Sequence, residues 1–301
     1  MGKIMKKMKL FMDTVVDIQV VTRKSNDQTE AAIDRAFEAF RKVEHACSRF
    51  SQDSELMEAC RQIKTPVQIS PFLFEPLKFA LEVAKWTDGI FDPTVGKAME
   101  DMGFNQHYLT EETVQSSSSD AATYRDIILN EQDRTLYLRK PLVIDLGAVA
   151  KGFAIDLAAH ELNEFEGFVV NAGGDLYAGG VDENGSKWRI GIQHPENKEE
   201  MIQTLEISNE AVCTSGSYER KSALKAGMHH IINPISKQSS DEWISCSVVA
   251  PYAMMADAFS TATFLLGLEH GGTLLEQADL KGILIASDLQ IYQIGGISID
   301  S

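Results

Sequence analysis

The sequence predicts an α+β protein, with helices and strands mixed and no regular βαβ alternation. Three observations carry this. Thr14 to Thr22 (TVVDIQVVT) is β-branched and roughly alternating, as a half-buried strand requires. From Asp27 to Phe50, Ile33, Phe37, Phe40, Val43 and Cys47 fall on one helical stripe with charges on the other faces. The second half alternates short strands with Gly-rich turns, interrupted by one apolar helix from Tyr252 to Leu268.

The remaining elements follow from local signals. Ser70-Pro71 is a cap-then-proline start for a helix that runs to about Trp86. Asp88-Gly89 and Asp92-Pro93 mark turns, and Ser116 to Ser119 is a polar loop tip. Ile127 to Asn130 and Thr135 to Leu138 predict a hairpin with Asp133 in its turn, and Leu142 to Asp145 a buried strand. Ala148 to Phe165 predicts a helix, Gly167 to Asn171 a strand, and Gly282 to Ile285 with Ile291 to Ile294 a closing β-rich stretch. No repeat or linker divides residues 1–301, so a single domain is expected, long enough for two lobes.

Composition excludes some partners. The net charge is −16, from 28 Lys plus Arg against 44 Asp plus Glu, which argues against a general nucleic-acid or anionic-membrane binder. A phosphate-bearing ligand held locally by backbone amides or a metal stays compatible. The four cysteines are scattered without a CxxC pair, so free thiols are expected and not a zinc or redox site. No apolar run reaches about 20 residues. The lysine-bearing start is interrupted by Asp13 and has no cysteine to carry a lipid, so a cytoplasmic location is expected.

Asp257 stands alone in the apolar run 252–268, which should be buried on nearly every side, with Pro251 at the first helical position and Gly267 or the next turn as the stop. An ionised carboxylate there costs several kcal/mol unless something positive meets it. No Lys or Arg lies in the run, and Thr261, four residues on, presents a hydroxyl on the same face. A carboxylate and a hydroxyl converging so can hold a hard cation. Satisfaction of Asp257 by backbone amides of a neighbouring loop is the competing reading.

Four other segments combine unusual residues. In 88–96 (DGIFDPTVG), Asp92 is held extended by Pro93 and Thr94 can cap the next helix; a plain helix start explains this as well. In 143–156 (VIDLGAVAKGFAID), a strand ending at Asp145 turns through small residues into a helix, which suits either close packing or an anion at the helix start. In 169–175 (VVNAGGD), paired glycines give room for a ligand or a tight turn. Between Cys213 and Pro234, Thr214-Ser-Gly-Ser-Tyr218 is hydroxyl-rich, and His230 heads a short apolar strand as a candidate base or phosphate contact. His229 should face the other way and be structural. There is no Walker A loop, GxGxxG fingerprint, GxSxG elbow, HExxH or EF-hand loop.

In this order, the stretches Ser48-Arg-Phe-Ser-Gln-Asp-Ser-Glu-Leu56, Gly89 to Gly96, Ile144 to Phe153, Val170 to Asp175, Thr214 to Gly216, His230 to Pro234 and Val249 to Thr261 resemble the ApbE-type FAD:protein FMN transferases. The resemblance implies mixed sheets and helices around a central FAD and Mg²⁺ cleft. It implies Mg²⁺-dependent transfer of FMN from FAD to a threonine or serine hydroxyl of an acceptor flavoprotein, with release of AMP. Asp257, Thr261 and the Ala150 carbonyl would hold the metal. His230 would be base or phosphate contact, with Asp257 the alternative base. The flavin site would draw on Met12, Asp92, Phe104, Gly147, Lys151, Phe153, Asn171, Gly173, Gly174, Asp175, Thr214, Ser215 and Gly216. Hydrolysis of FAD to FMN and AMP, or FAD binding without turnover, would use the same residues. Departures are Asp13, where many relatives have Gly, Met102 in place of Trp, and Asn233 before Pro234 in place of Asp. Many relatives are exported lipoproteins; a cytoplasmic acceptor is expected here.

Overall fold

A hairpin of two nine-residue strands opens the chain. β1 (Lys3–Phe11) and β2 (Thr14–Thr22) pair antiparallel from Lys3↔Thr22 to Phe11↔Thr14. Met12 and Asp13 therefore form the whole turn. Both have positive φ, 51° and 59°, the backbone of the turn whose twist matches two flanking strands. Aspartate tolerates this region and methionine rarely adopts it. Met12 thus sits on a strained tip between strands and not on a strand. β1 itself escaped the sequence reading because Lys3, Lys6, Lys7 and Lys9 break its apolar alternation; such lysines are usual on an edge strand, which is its place in the sheet.

The computed structural model describes residues 2–106, 113–119, 121–197, 199–218, 222, 224, 225 and 228–296. After the hairpin come α1 (Asn26–Cys47), α2 (Glu55–Cys60), β3 (Val67–Gln68), α3 (Pro71–Trp86) and α4 (Gly96–Asp101). They are followed by β4 (Ile127–Asn130), β5 (Thr135–Leu138), α5 (Ala150–Leu162), β6 (Gly167–Ala172), β7 (Asp175–Gly180), β8 (Trp188–Gln193) and β9 (Met201–Ile207). β10 (Glu210–Gly216), β11 (Trp243–Ala250), α6 (Ala253–Gln277), β12 (Lys281–Ala286) and β13 (Ile291–Ile294) complete an α+β fold.

The chain divides into two compact units. The first comprises Met1–Arg41, Lys151–Gly216 and Glu242–Ser301. Its frame is an eight-stranded sheet, in the order β1-β2-β6-β7-β10-β11-β12-β13 with every neighbouring pair antiparallel. Strand alternation separates two faces. On one, α6 packs on β7 and on β10 to β13, and Val16, Ile18, Val20, Val170, Cys213 and Val248 are buried. On the other lies the β8–β9 ribbon. Its Trp188, Ile192, Leu205 and Ile207 form one core with Val21, Leu176, Ala178, Val212, Val249 and Ile283. Burial of such side chains contributes about 1.5–3 kcal/mol each.

The second unit comprises Lys42–Ala150 and Ser217–Asp241. It holds the three-stranded sheet β3-β5-β4 and α2 to α4, with Leu56, Leu73, Leu77, Leu136, Leu138 and Ile144 fully buried. Met99, Met102 and Ile232 make a smaller cluster against which Phe104 packs.

The segment 142–145 and the end of helix α6 also differ from expectation. Leu142 to Ile144 is buried but is not a strand. It runs extended into Asp145, whose N–H donates to Pro93 O at 2.8 Å, and a short apolar run has the same composition with or without a ladder partner. Helix α6 does not stop at Gly267. That residue breaks helical geometry with φ 75° and ψ −174°, and helix resumes to Gln277. Tyr252 is the N-cap, so Pro251 lies just outside the helix. All four cysteines are free. Among the described residues, no helix is long and apolar enough to cross a membrane.

The Gly267 backbone lies in a region essentially reserved for glycine. Gly267→Ala is expected to destabilise the protein by about 1–3 kcal/mol, read as a lower urea midpoint with unchanged m-value. An unchanged midpoint would show that the kink relaxes without cost.

Candidate functional site

Asp257 is on the second turn of α6 and is 5% exposed. The N–H of Gly152, on the first turn of α5, donates to its Oδ2 at 3.1 Å. This is the backbone satisfaction that the apolar run demands, supplied by a helix start whose early N–H groups have no intrahelical acceptor. The approach needs glycine at 152: a Cβ there would stand 2.3 Å from Ala253 O.

A positive charge is also present, from outside the run. Lys151 Nζ forms an ion pair with Asp175 Oδ2 at the start of β7 and acts electrostatically on Asp257. Burial opposes the lysine's charge, but Asp175 and Asp257 outweigh it and hold Lys151 above the ordinary lysine range. Asp156 adds a third carboxylate, raised to about 6 by burial against the pull of the Met254 and Ala253 N–H groups. Asp257 itself is pushed up to about 7. Burial is the main cause, Asp175 and Asp156 add to it, and Lys151 and the Gly152 N–H work against it. Asp175 and Asp257 thus act on one ammonium while Asp156 acts on Asp257, a formal excess of negative charge.

Hydroxyls surround the same face. Ser215 Oγ on β10 lies 2.8 Å from both Ser260 Oγ and Thr261 Oγ1 on α6. Asp175 Oδ1 accepts from the Thr214 N–H at 2.8 Å, tying β7 to β10 beside Lys151. The Thr214 side chain turns to the opposite face, where its hydroxyl lies 2.8 Å from Ser247 Oγ. Asn171 does likewise: it shares a cavity of about 220 Å³ with Asp17, Gln19 and Trp188 on the ribbon face. Asn171 Oδ1 also accepts from the Gly174 N–H at 3.0 Å, shaping the exposed turn in which Gly173 and Gly174 have φ of 65° and 103°. Phe153 is half-buried on α5, and Gly216 ends β10. The structure therefore brings Lys151, Asp175, Ser215, Asp257 and Thr261 together, with Thr214 joining through its backbone.

Met12 lies in the first unit, at the tip of the β1–β2 hairpin, and Asp92, Phe104, Gly147, Ala150 and His230 lie in the second. Asp92 is a satisfied cap: its Oδ1 accepts from the Thr94 N–H and hydroxyl, both at 2.8 Å, and its Oδ2 from the Tyr124 N–H at 3.0 Å. Gly147 is exposed in the turn before α5 and donates to Asp145 Oδ1 at 2.8 Å. Ala150 opens α5 and is buried. Phe104 packs on the methionine cluster. His230 is half-buried at a bend in an irregular loop, without the expected strand; an isolated bridge, Asn233↔Gln238, follows it. His229 is the structural histidine. Its Nδ1 accepts from the Ile231 N–H at 3.3 Å and its Nε2 lies 2.9 Å from Ser240 O. That network assigns a neutral ring with the proton on Nε2, and burial lowers its pKa.

A family model described as the ApbE family matches residues 12–284. The chain belongs to the ApbE family. An Escherichia coli K12 relative named FAD:protein FMN transferase is 29% identical over 256 residues, covering 80% of this chain and 72% of the relative. A Treponema pallidum relative of the same name is 26% identical over 316 residues, covering 96% and 86%. Among solved structures, the ApbE protein of Thermotoga maritima superposes with a TM-score of 0.86 at 24% identity over 97% of both chains. The flavin transferase ApbE of Vibrio cholerae gives 0.82 at 22% identity, covering 100% and 98%. At these identities, the structural likenesses establish a shared fold.

Sequence reasoning passed over two charged groups that hold these turns, one buried and one half-buried. Arg49 is 4% exposed, ion-paired through Nε to Asp145, donates from Nη2 to Phe104 O at 2.5 Å and lies over the Phe50 ring at 4.1 Å. It fixes Asp145, and so the turn at Gly147. Asp156 is the other. A charge inside an apolar stretch was the available signal for Asp156, as it was for Asp257; Arg49 stands among Ser48, Ser51, Gln52 and Asp53 and gave no such signal.

Because the folded state holds the Asp257 proton more tightly than the unfolded chain, its contribution to stability is fully present at low pH. It is lost as pH rises from about 4 towards 7. Asp156 acts in the same direction. In chelator, the melting temperature is expected to fall over that window. Asp257→Asn should flatten the fall and melt about 2 °C or more above wild type at pH 8. A variant that melts lower at pH 8 would show that the ionised carboxylate is already compensated.

Proposed function

We propose that this chain, acting as one catalytic domain, transfers the FMN half of FAD to a threonine or serine hydroxyl of an acceptor flavoprotein and releases AMP. The observation that carries the reading is the buried Asp257 carboxylate beside Thr261, Lys151 and Asp175. The names of the relatives and the family match across most of the chain support it.

The donor set suits Mg²⁺. Asp257 and Thr261 offer oxygen ligands, with the Ala150 carbonyl as the third. Among the described residues, no group of three or more His, Cys, Asp or Glu could cage a metal. Mg²⁺ is commonly held by one or two carboxylates plus substrate phosphates and water. When bound, it supplies neutralisation of charge on the pyrophosphate and the leaving AMP.

The chain's own groups do the rest. The acceptor hydroxyl oxygen bonds to the FMN phosphorus, the pyrophosphate P–O bond to AMP breaks, and the hydroxyl proton passes to a base. His230 is assigned to that base or to a phosphate contact, and Asp257, with its raised pKa, is the alternative. Lys151, held charged, orients Asp175 and offsets phosphate charge. Backbone groups at Gly147, Gly173, Gly174, Thr214 and Gly216, with Met12, Asp92, Phe104, Phe153, Asn171 and Ser215, are assigned to FAD.

Intact-mass analysis of an acceptor domain after incubation with the protein, FAD and Mg²⁺ tests this. One added FMN is expected, absent with chelator and absent with Asp257→Ala, while FAD binding by that variant largely survives. His230→Ala should slow transfer by about 10²-fold or more with a smaller loss of FAD affinity. Free FMN and AMP without an adduct would indicate hydrolysis, and unchanged FAD would indicate a binding protein; either replaces the transferase reading.

A further inference from the structure

Helix α6 begins without a cap of its own. Tyr252 occupies the N-cap position and makes no side-chain cap hydrogen bond, and tyrosine lacks the short acceptor that caps N2 or N3. The acceptor comes from α5. Asp156 Oδ1 accepts from the Ala253 N–H at 2.6 Å, and Oδ2 from the Met254 N–H at 2.9 Å. Four residues earlier on α5, and therefore on the same face, Gly152 donates to Asp257 Oδ2. The exchange is reciprocal: the α5 carboxylate takes the first N–H groups of α6, and the α6 carboxylate takes an early N–H of α5. The absence of a Cβ at Gly152 allows contact with Ala253 O.

We infer that Asp156 is a positioning residue, which sets Asp257 and Thr261 against the start of α5 without itself touching substrate. The spacing argues for this. Residues 253, 257 and 261 are successive i, i+4 positions on one helical face. A clamp on the Ala253 N–H therefore fixes the height and rotation of both proposed metal ligands. A cap from a neighbouring helix does what a local Ser or Asp at 252 would not: it couples the start of α6 to another element. The inference rests on the proposed flavin transfer, with Asp257 and Thr261 as Mg²⁺ ligands.

The test compares full-length wild type, Asp156→Ala and Asp156→Asn. It reads amide hydrogen exchange at 253 and 254 without FAD or metal, FAD affinity without metal, and the Mg²⁺ concentration for half-maximal AMP release at saturating FAD and acceptor domain. In the alanine variant, exchange at both amides is expected to accelerate about tenfold. The half-saturating Mg²⁺ should rise by a similar factor, with FAD affinity unchanged. Asp156→Asn, which keeps one acceptor oxygen, should lie between and carries the comparison if the alanine variant does not fold. Faster exchange with a wild-type Mg²⁺ requirement would make Asp156 a stabilising cap only and overturn the inference, leaving the transferase reading intact. FAD consumption by wild type without Mg²⁺ would overturn both, and that is visible before any variant is compared.

Discussion

Everything around the site answers to one constraint, the burial of the Asp257 carboxylate in an apolar helix. A carboxylate with no compensation at that depth would cost several kcal/mol. Compensation comes from a backbone N–H at 3.1 Å and from the ammonium of Lys151, which is shared with Asp175. It is incomplete, since the carboxyl is still pushed up to about 7. A fully neutralised carboxylate would be a better structural element and a poorer ligand. Under the proposed function, a cation would complete that compensation.

That constraint dictates the sequence of α5. For Gly152 to reach Asp257, the first turn of α5 must lie against the start of α6, which excludes any side chain at 152. Ala253 is fully buried at the contact, and Ala154 and Ala158 of α5 are buried without exposure. Gly152, which ends the small-residue turn, therefore has a packing reason. Asp145 organises that turn by accepting from Gly147 while Arg49 holds Asp145.

The regular elements were legible where one face is apolar. β2, α3, β4, β5 and β13 lie where periodicity and turn residues place them, because burial of a single face imposes its period on the sequence. The buried loop 142–144 and the continuation of α6 past Gly267 were not legible. Apolar runs carry no record of their hydrogen-bond partners, and glycine ends or kinks a helix with equal ease. At the site, Asp257 and Thr261 were readable because the anomaly and its partner share one helix face. Lys151 was visible as a motif residue, but its role towards Asp257 was not, since that contact spans 106 positions in the numbering. Asn171 and Thr214 show a related limit. A motif names residues in order, whereas strand alternation sends neighbouring side chains to opposite faces.

The charge of the whole chain bears on how the proposed reaction would be controlled. A pyrophosphate-bearing substrate approaches a protein of net charge −16 and, at its reacting end, a cluster of three carboxylates with one lysine. Long-range attraction is absent, so binding must come from local donors: backbone N–H groups at helix starts and glycine turns, Lys151, and a divalent cation. Under the proposed function, substrate phosphate and cation each relieve the repulsion that the other meets. Their affinities are then coupled, and by linkage the coupling is equal in both directions.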